Sequence, residues 1–95
     1  MLKGKEKRYL RSLANTKNAI FQVGKDGVNE NQCEGINSAL ETHEVIKVTV
    51  LKSCSQDVRE VAFDISASTN SEIVQIIGKT IVFYRRSKKN IIELP

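Results

Sequence analysis

The stretch of sequence that decides the fold is Gln22-Val23-Gly24-Lys25-Asp26-Gly27-Val28-Asn29. Before it, Ala19 to Val23 has the pattern of a short apolar strand, and this strand runs directly into a glycine turn. After it, Asn29 can cap a helix, with Gln32 three residues further on as its capping-box partner. A strand, a tight turn and a helix in this order open a β-α-β unit, in which the connection is right-handed and the strands are parallel. The stretch therefore predicts an α/β domain.

The segments on both sides supply the other elements of such a domain. Residues 3–14 predict a first helix, because Leu10, Leu13 and Ala14 form an apolar stripe at i, i+3 and i+4 spacing. From Val45 to Leu51, apolar and polar residues alternate as they do in a half-buried strand. The remaining elements are a helix from Ser55 or Gln56 to about Ser68, and two strands over Ile73–Ile77 and Thr80–Arg86.

The dipeptide Gly78-Lys79 separates the last two strands and suits a two-residue hairpin with glycine first, which is a type II′ turn. The element order is therefore α-β-α-β-α-β-β, and the hairpin places one antiparallel strand in the sheet. We predict a two-layer α/β domain with a mixed four-stranded sheet. The length of 95 residues suits one domain, residues 1–95, with a basic tail over about 86–95.

Charge is distributed unevenly along the chain. Residues 1–25 carry seven Lys/Arg against one acid, a net charge of +6, and residues 77–95 carry five against one, a net charge of +4. Residues 26–76 carry three Lys/Arg against nine acids, a net charge of −6. If the two ends meet in the fold, they form one positive surface of the kind that binds polyanions, with an acidic face opposite. The alternative is that the basic ends only aid solubility.

The composition argues against several functional classes. Cys33, Cys54 and His43 are the only Cys and His residues, whereas a closed zinc site takes four such ligands. A disulfide is possible by number, but a cytosolic chain keeps its thiols reduced. Because no nucleophile–base pair stands out, we expect neither an enzyme nor a cofactor or metal. Met1 begins a basic segment without a secretory signal, and the apolar runs are too short to span a bilayer, so we expect a cytoplasmic protein.

The turn Gly24-Lys25-Asp26-Gly27 is the candidate binding element. Glycines let a ligand approach the backbone closely, a helix N-terminus presents free N–H groups, and Lys25 adds a cation, so together they favour a phosphate. The G-x-x-G spacing is neither a Walker A loop nor a dinucleotide fingerprint, and on the motif alone a plain strand-to-helix turn explains it better. In KH-type modules, G-x-x-G loops clamp a nucleic-acid backbone. Tyr9 or Tyr84 is a candidate for stacking on a base.

Three segments together resemble the CRM-domain family, named for chloroplast RNA splicing and ribosome maturation, and more narrowly its bacterial stand-alone, YhbY-like members. The resemblance covers essentially the whole chain. The segments occur in the family's order, and they are Lys5-x-Lys7-Arg8-Tyr9-Leu10-Arg11, Gln22-Val23-Gly24-Lys25-Asp26-Gly27-Val28-Asn29 and Ile77-Gly78-Lys79-Thr80-Ile81-Val82-Phe83-Tyr84-Arg85.

The resemblance implies a fold similar to the C-terminal domain of bacterial translation initiation factor three. It also implies association with precursors of the large ribosomal subunit, as in bacterial members, whereas plant relatives take part in group II intron splicing. The family's G-x-x-G loop is its expected RNA contact. Carried over to this chain, the RNA-binding residues are Gly24, Lys25 and Gly27, supported by Lys5, Lys7, Arg8, Arg11, Lys79 and Arg85.

Asp26 departs from the family pattern, because close relatives often have a third glycine at this place. An acid in the turn can repel phosphate, so we expect Asp26 to point away from the RNA or to cap the helix that follows. The function expected overall is that of a monomeric protein that binds ribosomal RNA in large-subunit precursors and assists ribosome assembly, with no small-molecule substrate. The alternatives are an adaptor that docks acidic protein partners and a DNA-binding chromosomal protein.

Overall fold

The structure is a computed structural model that describes residues 2–95. The predicted fold class and the predicted order of helices and strands are confirmed. The elements are α1 (Gly4–Ala14), β1 (Phe21–Val23), α2 (Glu30–His43), β2 (Val45–Val50), α3 (Val58–Thr69), β3 (Glu72–Ile77) and β4 (Thr80–Tyr84).

The four strands form one mixed sheet in the order β1-β2-β4-β3. β1 and β2 are parallel, and β4 runs antiparallel to both β2 and β3, so the predicted single antiparallel strand is confirmed. The crossover through α3 does not bring β3 beside β2, because β4 lies between them. The hairpin that folds β4 back has Ile77 paired with Thr80 and a positive φ of 57° at Gly78, as a type II′ turn requires.

Helices cover both faces of the sheet, which adds a layer that the predicted two-layer arrangement lacks. Along β4, Ile81 and Phe83 belong to the main core with α2 and α3, whereas Val82 and Tyr84 pack with α1 on the other face. All four of these side chains are buried. A strand that is apolar at successive positions is buried on both sides, and this continuous run in β4 is the sequence signal for the third layer.

Three element boundaries differ by two residues or more from those predicted. β1 begins at Phe21 rather than Ala19, and β4 ends at Tyr84 rather than Arg86. α3 begins at Val58, because the carboxylate of Asp57 caps it by accepting the Arg59 N–H at 3.3 Å. The predicted left-handed stop of this helix at Asn70, φ 53° and ψ 44°, is confirmed.

The two ends of the chain meet on the α1 face of the sheet. Leu2, Ile92 and Leu94 pack into the cluster that holds Leu10 of α1. The C-terminal tail is tied down by the carboxylate of Glu44, the residue that joins α2 to β2. This contact places the basic tail beside the basic N-terminal segment, as the hypothesis of one positive surface requires.

Candidate nucleic-acid interface

The Gly24–Gly27 segment forms a closed four-residue turn at the end of β1. The Gly27 N–H donates to the Gly24 carbonyl at 3.0 Å, and Lys25 and Asp26 are exposed at the tip. Gly27 has a positive φ of 68°, a conformation that glycine adopts without strain. Within the described residues 2–95, the N–H groups of Lys25 and Asp26 have no hydrogen-bond partner, so both can donate to a ligand.

Gly27 is buried and has a packing role in the turn. A Cβ at this position would lie 2.6 Å from Oε1 of Gln56, in the loop before α3. That oxygen accepts the Val28 N–H at 3.2 Å, and the amide nitrogen of Gln56 donates to Asp64 at 2.8 Å. Gln56 therefore fastens the turn to α3, and only glycine leaves room for it. A Cβ at Gly24 would find ordinary contacts at 3.7 Å.

The start of α2 is capped by Asn29, whose side chain accepts the Gln32 N–H at 2.9 Å, as predicted. The reciprocal half of the predicted capping box is wrong, because the Gln32 side chain donates to the Gln22 carbonyl at 2.7 Å instead. Since Asn29 occupies the cap position, Asp26 does not cap α2. Asp26 remains exposed at the tip of the turn.

The strand register brings Lys79 to the same end of the sheet as the Gly24–Gly27 turn. The Leu51 N–H donates to the Val23 carbonyl at 2.8 Å, and the Val50 N–H donates to the Lys79 carbonyl at 2.7 Å. We call this the loop end of the sheet; it comprises the turns at residues 24–27, 51–54 and 78–79. The predicted residues Lys25 and Lys79 are thus brought together at one end, and both are exposed.

The predicted basic residues of α1 lie on the sheet face opposite α2 and α3. Lys5 and Arg8 are exposed, whereas Lys7 and Arg11 are half-buried. On the buried side of the helix, Leu10 and Ala14 pack on the sheet. The cations of α1 are therefore carried by the sides of the helix that do not pack on the sheet.

The direction of α1 connects the two ends of the sheet. The N–H of Leu2, just before the helix, donates to Glu72 at the start of β3, at 3.3 Å. The last residue, Ala14, lines a hollow together with Ile77 and Thr80 at the loop end. A helix of 11 residues is about 16 Å long, so its cations lie between the basic tail and the loop end.

The two faces of the sheet carry opposite charge. α1 contains four Lys/Arg and one acid, whereas α2 contains three acids and no Lys or Arg. α3 contains two acids and one arginine, Arg59. The predicted arrangement of a basic surface with an acidic face behind it therefore follows from the side of the sheet on which each helix packs.

Arg85 does not belong to the open basic surface, although it is one of the predicted RNA-binding residues. Its guanidinium donates to the side chain and carbonyl of Asn37, to the Thr69 carbonyl at 2.6 Å, and to Glu41 at 3.3 Å. These contacts join β4 to α2 and to the end of α3. The side chain is only 20% exposed. Arg85 thus holds the domain together, because its four terminal N–H groups already have acceptors.

At the other end of the sheet, which we call the tail end because the C-terminal tail follows β4 there, Glu44 is buried and fully hydrogen-bonded. Its carboxylate accepts the Ser87 N–H and hydroxyl, each at 2.7 Å, and the Ile92 N–H at 2.6 Å. Burial alone would raise the pKa of this carboxyl, but the hydrogen bonds from Ile92 and Ser87 outweigh it and hold the pKa below its usual value. Glu44 is therefore a structural anion that fixes the C-terminal tail.

Of the two tyrosines predicted as candidates for stacking on a base, only Tyr9 is exposed enough to do so. Tyr84 is 4% exposed and packs under α1, so it is not free to stack on a base, whereas Tyr9 is 38% exposed. Phe63 on α3 is 70% exposed and lies on the acidic face.

Lys52 and Gln56 are not among the predicted site residues. The signal that points to both is their place in the loop after β2, beside the glycine turn.

Other kinds of site have little support among residues 2–95. No group of three or more His, Cys, Asp or Glu side chains there is placed to hold a metal ion. Cys33 and Cys54 are both free thiols. No helix in that range combines the length and the apolar character needed to cross a membrane.

Several known proteins resemble this chain along most or all of its length. The family model of the CRS1/YhbY (CRM) domain matches residues 2–85. The chain is 52% identical to the "Probable RNA-binding protein YqeI" of Bacillus subtilis, with both chains covered completely. It is 34% identical to an "RNA-binding protein" of Haemophilus influenzae, over 99% of this chain and 95% of that one. The solution structure of SAV1595 from Staphylococcus aureus, a candidate RNA-binding protein, superposes with a TM-score of 0.83 at 54% identity, with both chains covered completely.

Proposed function

The chain belongs to the CRS1/YhbY (CRM) domain family, and we propose that it is an RNA-binding protein that contacts the phosphate backbone of structured RNA. One observation carries this function: the basic α1 face lies opposite the acidic helices α2 and α3 and reaches the loop end of the sheet. A polyanion is attracted to one side of such a molecule and repelled from the other. Two relatives that match over all or nearly all of their length carry names that state RNA binding.

The backbone contacts divide into two groups. At the loop end, the free N–H groups of Lys25 and Asp26 donate to phosphate oxygens, and the ammonium groups of Lys25 and Lys79 add charge. Along α1, the basic residues neutralise further phosphates without reading bases. The helix residues that do so are Lys5, Lys7, Arg8 and Arg11. With ~4–6 phosphates contacted, the affinity falls with salt at a log–log slope of roughly −3 to −5.

We propose further that the RNA is ribosomal RNA in precursors of the large subunit, and that the protein acts on it as a cytoplasmic monomer during assembly. The resemblance to the bacterial stand-alone members of the family supports this part of the function. Binding needs no cofactor, because its energy comes from counterion release and hydrogen bonds.

The deciding experiment compares two charge reversals on opposite faces. Arg8→Glu alters the basic face, whereas Arg59→Glu changes the net charge equally at an exposed position on α3. Fluorescence anisotropy measures the binding of a labelled ribosomal RNA hairpin and of duplex DNA of matched length, at two salt concentrations. We expect wild type and Arg59→Glu to prefer the RNA, and Arg8→Glu to bind every RNA sequence about tenfold or more weakly.

Each alternative outcome contradicts a stated part of the function. Equal loss in both variants would show that net charge, rather than the α1 face, drives binding. Equal affinity for RNA and DNA would favour a DNA-binding protein. For the ribosomal part, wild type should sediment with large-subunit precursors in cell lysates and be released by RNase. Retention on a protein partner after RNase would favour an adaptor.

A further inference from the structure

The loop after β2 repeats the geometry of the turn after β1. In the first turn, the Gly27 N–H donates to the Gly24 carbonyl at 3.0 Å; in the second, the Cys54 N–H donates to the Leu51 carbonyl, also at 3.0 Å. Both turns follow the last residue of a strand, and those two strands, β1 and β2, are parallel neighbours. The chain therefore leaves the sheet twice in succession, in the same direction and through the same kind of closed turn.

The two turns lie side by side. The Leu51 N–H donates to the Val23 carbonyl at 2.8 Å, which fixes the first residue of the second turn against the strand that leads into the first. A Cβ built on Gly24 would lie 3.7 Å from both Leu51 Cδ1 and Ser53 Oγ. A ligand atom that approaches the backbone at Gly24 thus meets the Ser53 hydroxyl as well.

The second turn carries groups that suit a phosphate at least as well as those of the first. Lys52 stands at the same position in its turn as Lys25 does in the first, and both are exposed. The next position is Ser53, a hydroxyl donor, where the first turn has the carboxylate of Asp26. In the described residues, the N–H groups of Lys52 and Ser53 have no hydrogen-bond partner, so they are free to donate. The nearest acid in sequence, Asp57, directs its carboxylate to the Arg59 N–H.

The hairpin of β3 and β4 adds a third cation to the same edge. The Lys79 carbonyl accepts the Val50 N–H at 2.7 Å, so the hairpin adjoins the residue before the second turn. Neighbouring strands lie about 4.8 Å apart, and the three turns follow the strand order β1, β2, β4. Lys25, Lys52 and Lys79 are therefore carried by three adjacent turns, in a row that runs across the strands.

We propose that the Leu51–Cys54 turn is a second phosphate-binding turn, in which the Lys52 ammonium, the Ser53 hydroxyl and the N–H groups of both residues hold the phosphate next to the one at Gly24–Gly27. The two phosphates belong to one RNA strand that crosses the loop end at right angles to the β-strands. This inference rests on the proposed RNA-binding function and deepens it, because it assigns the direction of the strand and a contact residue that the family resemblance does not supply.

Variants in which one of the three lysines is replaced by alanine test whether the row contacts RNA. The control is Arg59→Ala, which also removes one exposed cation but lies on the acidic face. Anisotropy with a labelled hexauridylate and with a ribosomal RNA hairpin gives the affinity at several salt concentrations. Losing one phosphate contact removes about 0.7–0.9 from the slope, which corresponds to roughly five- to eightfold weaker binding at 0.1 M salt. We expect this loss for Lys52→Ala, a doubled change of slope for Lys25→Ala/Lys52→Ala, and no change of slope for Arg59→Ala.

A second readout locates the contact directly. In a titration of the ¹⁵N-labelled protein with hexauridylate, the amide signals of Lys52 and Ser53 should shift together with those of Lys25 and Asp26. If Lys52→Ala binds like Arg59→Ala and the Ser53 signal stays still while Lys25→Ala is impaired, the second turn is not a site, although the proposed function stands. If wild type binds neither RNA, the proposed function fails, and the inference fails with it. Circular dichroism confirms that each variant is folded.

Discussion

The polar groups at the two ends of the sheet differ in how many hydrogen bonds they make within the domain. At the loop end, Lys25 and Lys52 are exposed, and the N–H groups of these two lysines, of Asp26 and of Ser53 have no hydrogen-bond partners within residues 2–95. At the tail end, Glu44 and Arg85 are each satisfied by several hydrogen bonds from the rest of the domain. Free donors at one end can bind an external anion, whereas saturated groups at the other end can only hold the fold. Charge alone therefore does not distinguish a candidate binding group from a structural one, whereas the hydrogen bonds that the group already makes do.

Removing the charge of Glu44 should lower the stability of the domain more than any other change considered. In Glu44→Gln, an amide NH2 group replaces one of the two oxygens that accept from Ser87 and Ile92, so at least one buried N–H group loses its acceptor. We expect a loss of about 2–4 kcal/mol in the free energy of unfolding. Urea denaturation followed by circular dichroism measures it.

Glu41→Gln is the matched control for Glu44→Gln, because Glu41 is 48% exposed and forms only a surface ion pair with Arg85. Exposed pairs contribute about 0–1 kcal/mol. Equal losses in the two variants would contradict the structural role assigned to Glu44.

The second change concerns Arg85, for which the family resemblance and the geometry give different roles. Arg85→Lys keeps the charge but cannot reach Asn37, Thr69 and Glu41 at once. We expect about 1–3 kcal/mol of destabilisation with nearly unchanged RNA affinity of the folded protein. Denaturation and anisotropy on the same sample separate the two effects. The neighbouring exposed residue provides the control, Arg86→Lys. A large loss of affinity with unchanged stability would return Arg85 to the binding surface.

The third change distinguishes the two glycines of the turn. Gly27→Ala meets both a positive φ of 68° and the side chain of Gln56, so we expect about 1–2 kcal/mol of destabilisation. Gly24→Ala finds ordinary contacts and should lie within about 0.5 kcal/mol of wild type. Thermal unfolding measures both variants. Similar stability of the two would mean that Gln56 does not hold the turn in solution.

The smallest effect is the dependence of stability on pH at the tail end. The folded-state pKa of Glu44 lies below its unfolded value of 4.5, so its contribution to stability is complete above that pH. It is lost as the pH falls through the folded pKa, because protonation turns one of the two accepting oxygens into a donor and weakens the hydrogen bonds from Ser87 and Ile92. The melting temperature between about pH 3 and pH 6 should therefore fall less steeply with acid in Glu44→Gln than in wild type. Parallel curves would contradict this prediction.

Much of the fold could be predicted from local sequence. The apolar stripe of α1, the cap at Asn29, the alternation in β2 and the left-handed stop at Asn70 all depend on residues close together in the chain. The predicted start of α3, at Ser55 or Gln56, is wrong, because a contact between residues distant in the chain decides which residue caps the helix. The contact of Gln56 with the distant Val28 N–H leaves the capping role to Asp57.

The residues of the candidate site also differ in whether the sequence alone predicts their role. Lys25 and the basic residues of α1 could be identified from charge and motif, because they remain at the surface. The role of Arg85 could not, since its acceptors come from residues 16 to 48 positions away in the chain. Lys52 lacks any motif of its own, and it becomes a candidate only when the register of β1 and β2 places its turn beside Gly24.

The element order, the segregation of charge along the chain and the presence of a glycine turn can be predicted from the sequence, because each depends on neighbouring residues. Only the tertiary structure decided which cations are free. That outcome depends on which strands pair, on which face of the sheet each helix packs, and on which carbonyl and carboxylate groups meet an arginine or an N–H. Such pairings bring together groups that are far apart in sequence, so no local pattern specifies them.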